Sequence, residues 1–362
     1  MRILLLQDFL RCGGTERQTV ALCEYFSRSG HDVSLLTFRP GGRLADWVRR
    51  SGIPLRSLQS FDLGLNFFAP GLFREIGRSN PDVVLCMGRM ANCFAGFLHK
   101  RFKDIVTVGS ARTGKPLPLL NQWSFRQVDA VLANCEWWRE QLIANGVADL
   151  RVKVIHSGLT SSWAPSDYTL VRETMRNELD VEASTVVFLN VASFRTRKRQ
   201  AWLIETFSQL RSSLDWQLWL VGDGKELSKC RQMAEKSNVA HRIRLLGYHG
   251  DPYPYYAGAD VAVSASVEDS LPNFLIEAQS MGLPVVASDV RGVGETFSKG
   301  ESGFLVPPAD RVEFLSRVEE LCMDSDLRES MGVFGARSAK HSFSGDSQAA
   351  KVLDVLETLV NA

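Results

Sequence analysis

Short runs of leucine and β-branched residues recur along the first half of the chain: RILLLQ from Arg2, DVSLLTF from Asp32, DVVLCM from Asp82, IVTVGS from Ile105, AVLANC from Ala130 and KVIHSG from Lys153. Runs that stay apolar on both faces suit strands covered by helices on each side, as in parallel sheets. Between them the apolar positions take a helical spacing. In TERQTVALCEYFSRSG, Val20, Leu22, Cys23 and Phe26 share one face and Gly30 closes the helix. The alternation is that of βαβ units. SSWAPSD, at residues 161 to 167, interrupts it, and a helical VRETMRNEL opens a second series. That series runs through TVVFLNVAS, WQLWLVGDG, IRLLGY, DVAVSAS, PVVASDV and GFLVPP. The pattern predicts an α/β protein of two tandem parallel-sheet domains, 1–165 and 166–340, with one capped amphipathic helix in 341–362.

Ligands of open parallel sheets sit beyond the carboxyl ends of the strands, so the loops after strands are the places to look. After the first strand comes QDFLRCGGTERQ, where Gly13 and Gly14 precede a helix expected to open with Thr15 as N-cap and Glu16 in its first turn. Either the paired glycines let an oxygen-rich ligand approach the helix end, or they form a tight turn. In FRTRKRQ, Arg195, Arg197, Lys198 and Arg199 crowd the start of the helix QAWLIETFSQL. Positive charge there opposes the helix dipole, which favours a bound phosphate or diphosphate over a merely solvated start. VGDGKEL has Gly-x-Gly spacing, but Leu227 stands where a dinucleotide fingerprint needs glycine, so a turn with Asp223 at its tip is expected.

VEDSLPNFLIEAQSMGLPVVASD, Val267 to Asp289, places Asp269 in the loop after a strand and Glu277 in the following helix, which Pro272 opens and Gly282 closes. Carboxylates accept hydrogen bonds from vicinal hydroxyls, the pattern of a sugar ring or a ribose. The amides of Leu271, Asn273 and Phe274 at the helix start could hold a diphosphate between the two acids. The plainer alternative is a capped helix with Glu277 paired to a lysine.

The 362 residues suffice for two cores, and a formal net charge of +1 gives no reason to expect a nucleic-acid partner. Seven scattered cysteines without CxxC spacing speak against zinc and a disulfide framework. MRILLLQDF is too short for a signal peptide, and no run of eighteen uncharged apolar residues follows, so a cytoplasmic protein is expected.

Taken together, GGTERQTVALCEYFSRSGHDVSLLT, AVLANCEWWREQL with KVIHSGL, VASFRTRKRQAWLIETF, LWLVGDGKEL, YYAGADVAVSASVEDSLPNFLIEAQSMGLPVVASDVRGVGE and SGFLVPPAD resemble the retaining, nucleotide-sugar-dependent glycosyltransferases of family 4. The resemblance runs almost end to end. It implies the GT-B fold: two facing Rossmann-like domains, an N-terminal one for the acceptor and a C-terminal one for the nucleotide-sugar, with the last helix crossing back to the N-terminal domain and a hinge between the halves. The family's E-x7-E is matched by Asp269-x7-Glu277. The match implies that Asp269 holds the transferred sugar, Glu277 the ribose, and residues Leu271, Pro272, Asn273 and Phe274 the diphosphate. Lys198 matches the family's phosphate-binding lysine; its partner arginine is replaced by Ser193, leaving Arg195 or Arg197 as substitutes. Gly13 and Gly14 match the glycine-rich first loop that approaches the sugar-phosphate and the acceptor. Many relatives have a histidine after the strand VTVGSARTG; here Ser110 and Arg112 stand nearest, and Arg112 is the acceptor-side candidate. His156 is expected to be structural. The family's N-G-x-D appears as Ser157, Gly158, Leu159 and Thr160.

The resemblance implies transfer from a UDP- or GDP-hexose to a carbohydrate, glycolipid or small-molecule hydroxyl, with no metal and no further cofactor. FDLGLNFFAPGLFREIGR, Phe61 to Arg78, could serve the acceptor, contact the inner face of a membrane, or simply cover the core. The competing readings are a non-catalytic sugar-nucleotide-binding protein and an epimerase or phosphorylase of the same fold.

Overall fold

The structure is a computed structural model that describes residues 1–113, 117–159 and 167–362. It divides into two units, Met1–Thr160 with Phe343–Ala362, and Ser161–Ser342. Thr160 and most of the SSWAPSD stretch lie outside the described residues.

The first unit holds strands β1 (Arg2–Gln7), β2 (Asp32–Thr37), β3 (Leu55–Ser57), β4 (Val83–Cys86), β5 (Val106–Ala111), β6 (Ala130–Ala133) and β7 (Val152–Val154). Its helices are α1 (Gly14–Arg28), α2 (Ala45–Arg50), α3 (Leu72–Ser79), α4 (Ala91–Arg101), α5 (Leu119–Phe125) and α6 (Glu136–Ala144). The strands form one parallel sheet in the order β3-β2-β1-β4-β5-β6-β7. Leu5 pairs in register with Leu35 on one side and Leu85 on the other, so the apolar runs become the centre of the sheet. β3 was not expected: at three residues on the sheet edge, two of them exposed, LRS carries no apolar run to betray it.

The second unit holds α7 (Tyr168–Glu178), β8 (Val186–Val191), α8 (Gln200–Phe207), β9 (Trp216–Val221), α9 (Leu227–Glu235), β10 (Ile243–Gly247), α10 (Tyr253–Gly258), β11 (Val261–Ser264), α11 (Asn273–Ser280), β12 (Val285–Ser288), β13 (Gly303–Val306), α12 (Arg311–Met323) and α13 (Ser325–Ser342). Its sheet is also parallel, ordered β10-β9-β8-β11-β12-β13. The chain order reverses between β8 and β11, where an open α/β sheet parts its loops and binds ligands.

The last helix, α14 (Gly345–Val360), is capped by the Ser344 side chain, which accepts from the Ser347 amide. It belongs to the first unit, where Ala349, Val352 and Leu356 join Val20, Leu22 and Phe26 of α1 and Ile3 and Leu5 of β1 in one core.

One local expectation is corrected. Thr15 is not the N-cap of α1; Gly13 is, in an extended conformation, and Thr15 lies within the first turn, its carbonyl accepting from Thr19 Oγ1. The carboxylate of Glu16 folds back over Gly13, so that a Cβ there would lie 2.6 Å from Glu16 Oε2. A Cβ on Gly13 would therefore displace the flexible end of the helix's own first-turn acid.

Candidate functional site

In the second unit, the loop after β8 carries the basic cluster. Thr196–Lys198 form a single 3-10 turn, and Arg199 takes a left-handed φ of +54° to feed the chain into α8. The loop rests on its neighbour after β9: the Ala192 amide donates to Val221 O (3.0 Å), the Phe194 amide to Asp223 O (2.9 Å) and the Glu226 amide to Phe194 O (3.2 Å). This approach is what the Gly-x-Gly spacing serves. A Cβ on Gly222 would run into Ala192 O and one on Gly224 into Phe194 O.

The loop after β11 joins the same cluster. The Val267 amide donates to Arg197 O (2.9 Å), and Lys198 Nζ donates to both oxygens of Asp269, at 2.8 and 2.6 Å. Only 16% of the Lys198 side chain and 12% of that of Asp269 are exposed, so this is a shielded ion pair. Arg197 buries Nε and Nη1 with no hydrogen-bond partner among the described residues. Buried donors of this kind are costly unless something satisfies them, and an anionic oxygen would. Arg195 is exposed. Along the same edge of the sheet, Asn190 Oδ1, Ser266 Oγ and Gln200 Oε1 are also buried without a partner among the described residues.

α11 follows directly. Pro272 is its N-cap, one position before the helix starts, and Gly282, at φ +76°, ends it. The amides of Asn273 and Phe274, in its first turn, have no carbonyl of their own helix to bond. Leu271 and Pro272 are buried. Glu277 is buried on α11 and accepts from Tyr256 Oη at 2.6 Å. Lys198, Asp269 and Arg197 are therefore brought together. Glu277 lies along the helix that leaves the same loop.

Gly13, Gly14 and Arg112 belong to the first unit. Arg112 follows β5; its Nη1 donates to Ser157 Oγ (3.2 Å), and burial pushes its guanidinium down to about 10. His156 packs against the Phe343 ring with centroids 5.5 Å apart. Gly158 exchanges hydrogen bonds with the Gln18 amide side chain and packs on Gly345, which ties this segment to α1 and α14. In the Phe61 to Arg78 stretch, α3 buries Leu72 and Ile76, whereas Phe61 (68%) and Phe67 (60%) stand in solvent. Arg11 and Arg39 both donate to Asn66 Oδ1 at 2.8 Å, anchoring this stretch beside the loop that follows β1.

Two side chains of interest carried no signal in the sequence. Tyr256 is fully buried beneath Glu277, twenty-one positions away. Asp8, at the end of β1, accepts from the amides of Met90 (3.0 Å) and Ala91 (2.7 Å) at the start of α4, and burial pushes its carboxyl up to about 6. Gly88 lies so close that a Cβ there would strike the Asp8 and Gln7 side chains.

Comparison with known proteins finds matches along both halves of the chain. Residues 12–162 match the model described as Glycosyltransferase Family 4, and residues 185–324 match Glycosyl transferases group 1. The lipopolysaccharide core biosynthesis glycosyltransferase LpsE of Rhizobium meliloti (strain 1021) is 29% identical over 356 residues, covering 96% of this chain and 97% of that protein. The N-acetyl-alpha-D-glucosaminyl L-malate synthase of Bacillus anthracis is 24% identical over 185 residues, 51% of this chain and 48% of that protein. Among solved structures, Anabaena HepE in complex with UDP superposes with a TM-score of 0.84 at 19% identity, covering 99% of this chain and all of that one. WaaG, a glycosyltransferase involved in lipopolysaccharide biosynthesis, gives 0.76 at 16% identity, covering 98% and 99%. Two parallel Rossmann-like sheets and matches along both halves lead to one assignment: the chain belongs to the group 1 glycosyltransferases of family 4 and has their GT-B fold.

Proposed function

We propose that the protein moves a hexose from a UDP- or GDP-sugar to a hydroxyl of a carbohydrate acceptor, with retention of anomeric configuration. The observation that carries this reading is the meeting of Lys198 and Asp269 at 2.6 Å, beside the half-buried Arg197, whose Nε and Nη1 lack a partner among the described residues, and the start of α11. Lys198, Arg197 and the amides of Asn273 and Phe274 would meet the diphosphate. Asp269 would accept from the sugar hydroxyls, and Glu277, held by Tyr256, from the ribose. HepE, with the same fold, is known in complex with UDP and with UDP-glucose. The name of LpsE supports an acceptor in surface-polysaccharide assembly.

In the proposed reaction the acceptor oxygen bonds to the anomeric carbon on the face the diphosphate leaves. The bond from that carbon to the diphosphate oxygen breaks, and the hydroxyl proton passes to the departing phosphate. Catalysis then consists of stabilising charge that grows on the leaving group and fixing the sugar in place. Removing one charge-stabilising donor commonly costs ~100-fold or more in rate.

The test has two arms. A panel of nucleotide sugars is screened for thermal stabilisation, where a ligand at 100 times its Kd adds ~2.7 kcal/mol. Lys198→Ala is then assayed for transfer with the donor so found. A loss of at least ~100-fold with an unchanged circular dichroism spectrum is expected; near-normal turnover rejects the role.

A further inference from the structure

Lys198 and Asp269 satisfy one another. The ammonium reaches both carboxylate oxygens, and both side chains are largely shielded from water. On the proposed function, which this inference rests on, the same two groups serve different parts of one donor: the diphosphate is a second claimant for Lys198, and the sugar hydroxyls are second partners for Asp269. A complete nucleotide-sugar can therefore exchange the pair in full. Its anion takes the ammonium and its hydroxyls donate to the carboxylate.

A nucleoside diphosphate cannot make that exchange. It brings the anion alone, so the shielded Asp269 carboxylate is either left without its cation or kept beside a second negative group. Removing one partner of a shielded ion pair is strongly unfavourable, because the remaining charge has no compensation. We infer that the Lys198–Asp269 pair makes the site discriminate against its own nucleoside diphosphate product and in favour of the sugar-bearing donor. Product release then follows from the chemistry: once the sugar has left, Asp269 reclaims Lys198 and loosens the diphosphate. The pair is thus a specificity device and not only two separate contacts.

The neighbouring carboxylate Glu268 provides an internal control, since it carries the same charge one position away and is only half-buried. Isothermal titration of the full chain with UDP, UDP-glucose, GDP and GDP-mannose is compared for the wild type, Asp269→Asn and Glu268→Gln. For the base that binds, Asp269→Asn is expected to take the bare nucleoside diphosphate about tenfold more tightly than the wild type, because Lys198 is no longer claimed. Its preference for the sugar-bearing form should disappear, while Glu268→Gln shifts either ligand by no more than about twofold. If the Asn variant fails to fold, Asp269→Ser is read in the same way.

The inference is overturned if the Asp269 variants bind the nucleoside diphosphate no tighter, or more weakly, which would mean that Asp269 merely holds Lys198 in place for the phosphate. It is equally overturned if Glu268→Gln gives the same gain, which would reduce the effect to general charge repulsion. Failure of the wild type to bind any of the four probes would instead remove the donor reading itself, and this inference with it.

Discussion

Asp8 shows how a single buried group can set a pH dependence. An ordinary aspartate titrates near 3.8, and burial raises this one to about 6 despite the amides of Met90 and Ala91. The folded chain therefore holds a proton that the unfolded chain gives up. The associated stability is complete below about pH 4 and is lost as pH rises through about 6, with a total on the order of 3 kcal/mol. Asp8→Asn keeps a carbonyl to accept from the start of α4 and removes the ionisation. The difference in Tm between variant and wild type should move in favour of the variant from pH 4 to pH 7, and parallel curves would refute the burial account. At this scale the residue types at the site were legible: four basic residues against a helix start, and two acids eight positions apart. Their pairing was not. That Lys198 meets Asp269 and that Arg197, not Arg195, buries two of its guanidinium nitrogens depends on how two loops fold against each other, and Tyr256 has no link to Glu277 until the chain is folded.

At the scale of elements, apolar runs announced the central strands because each is covered on both faces, as with Val186–Val191 and Trp216–Val221. β3 escaped because an edge strand needs little apolar surface. The Gly222-Asp223-Gly224 loop was read as a turn, and its purpose emerged only from what it touches. Gly224 has φ +154°, and a side chain there would press on Phe194 O in the loop that leads to Arg197 and Lys198. Gly224→Ala should therefore act at a distance from the ligand. It is expected to cost about 1–3 kcal/mol of stability from the strained backbone, and to weaken nucleotide-sugar binding by displacing the basic loop. Titration of the folded variant checks this: wild-type affinity would show that the loop does not depend on its glycine support.

At the scale of the molecule, the chain leaves its first unit, builds the second, and returns to complete the first. The apolar positions Ala349, Val352 and Leu356 were visible as one helical face, but a face does not say which core receives it. The structure does: Leu356 is wholly buried with Val20, Phe26 and Leu5, residues more than three hundred positions earlier. Replacing it by alanine removes a buried side chain and leaves a cavity, a change that costs about 2–5 kcal/mol. Because the contact lies within the first unit, Leu356→Ala should loosen that unit selectively. Hydrogen exchange is expected to quicken in β1, β2 and β4, at the far end of the sequence from the substitution, while β8, β9 and β11, closer along the chain, keep their protection. Uniform loss of protection in both sheets, or loss confined to α14, would show that the returning helix is not an integral part of the first core. Selective loss would mean that the last eighteen residues stabilise the first unit and leave the proposed donor site of the second unit standing, so nucleotide-sugar binding should survive where transfer is impaired.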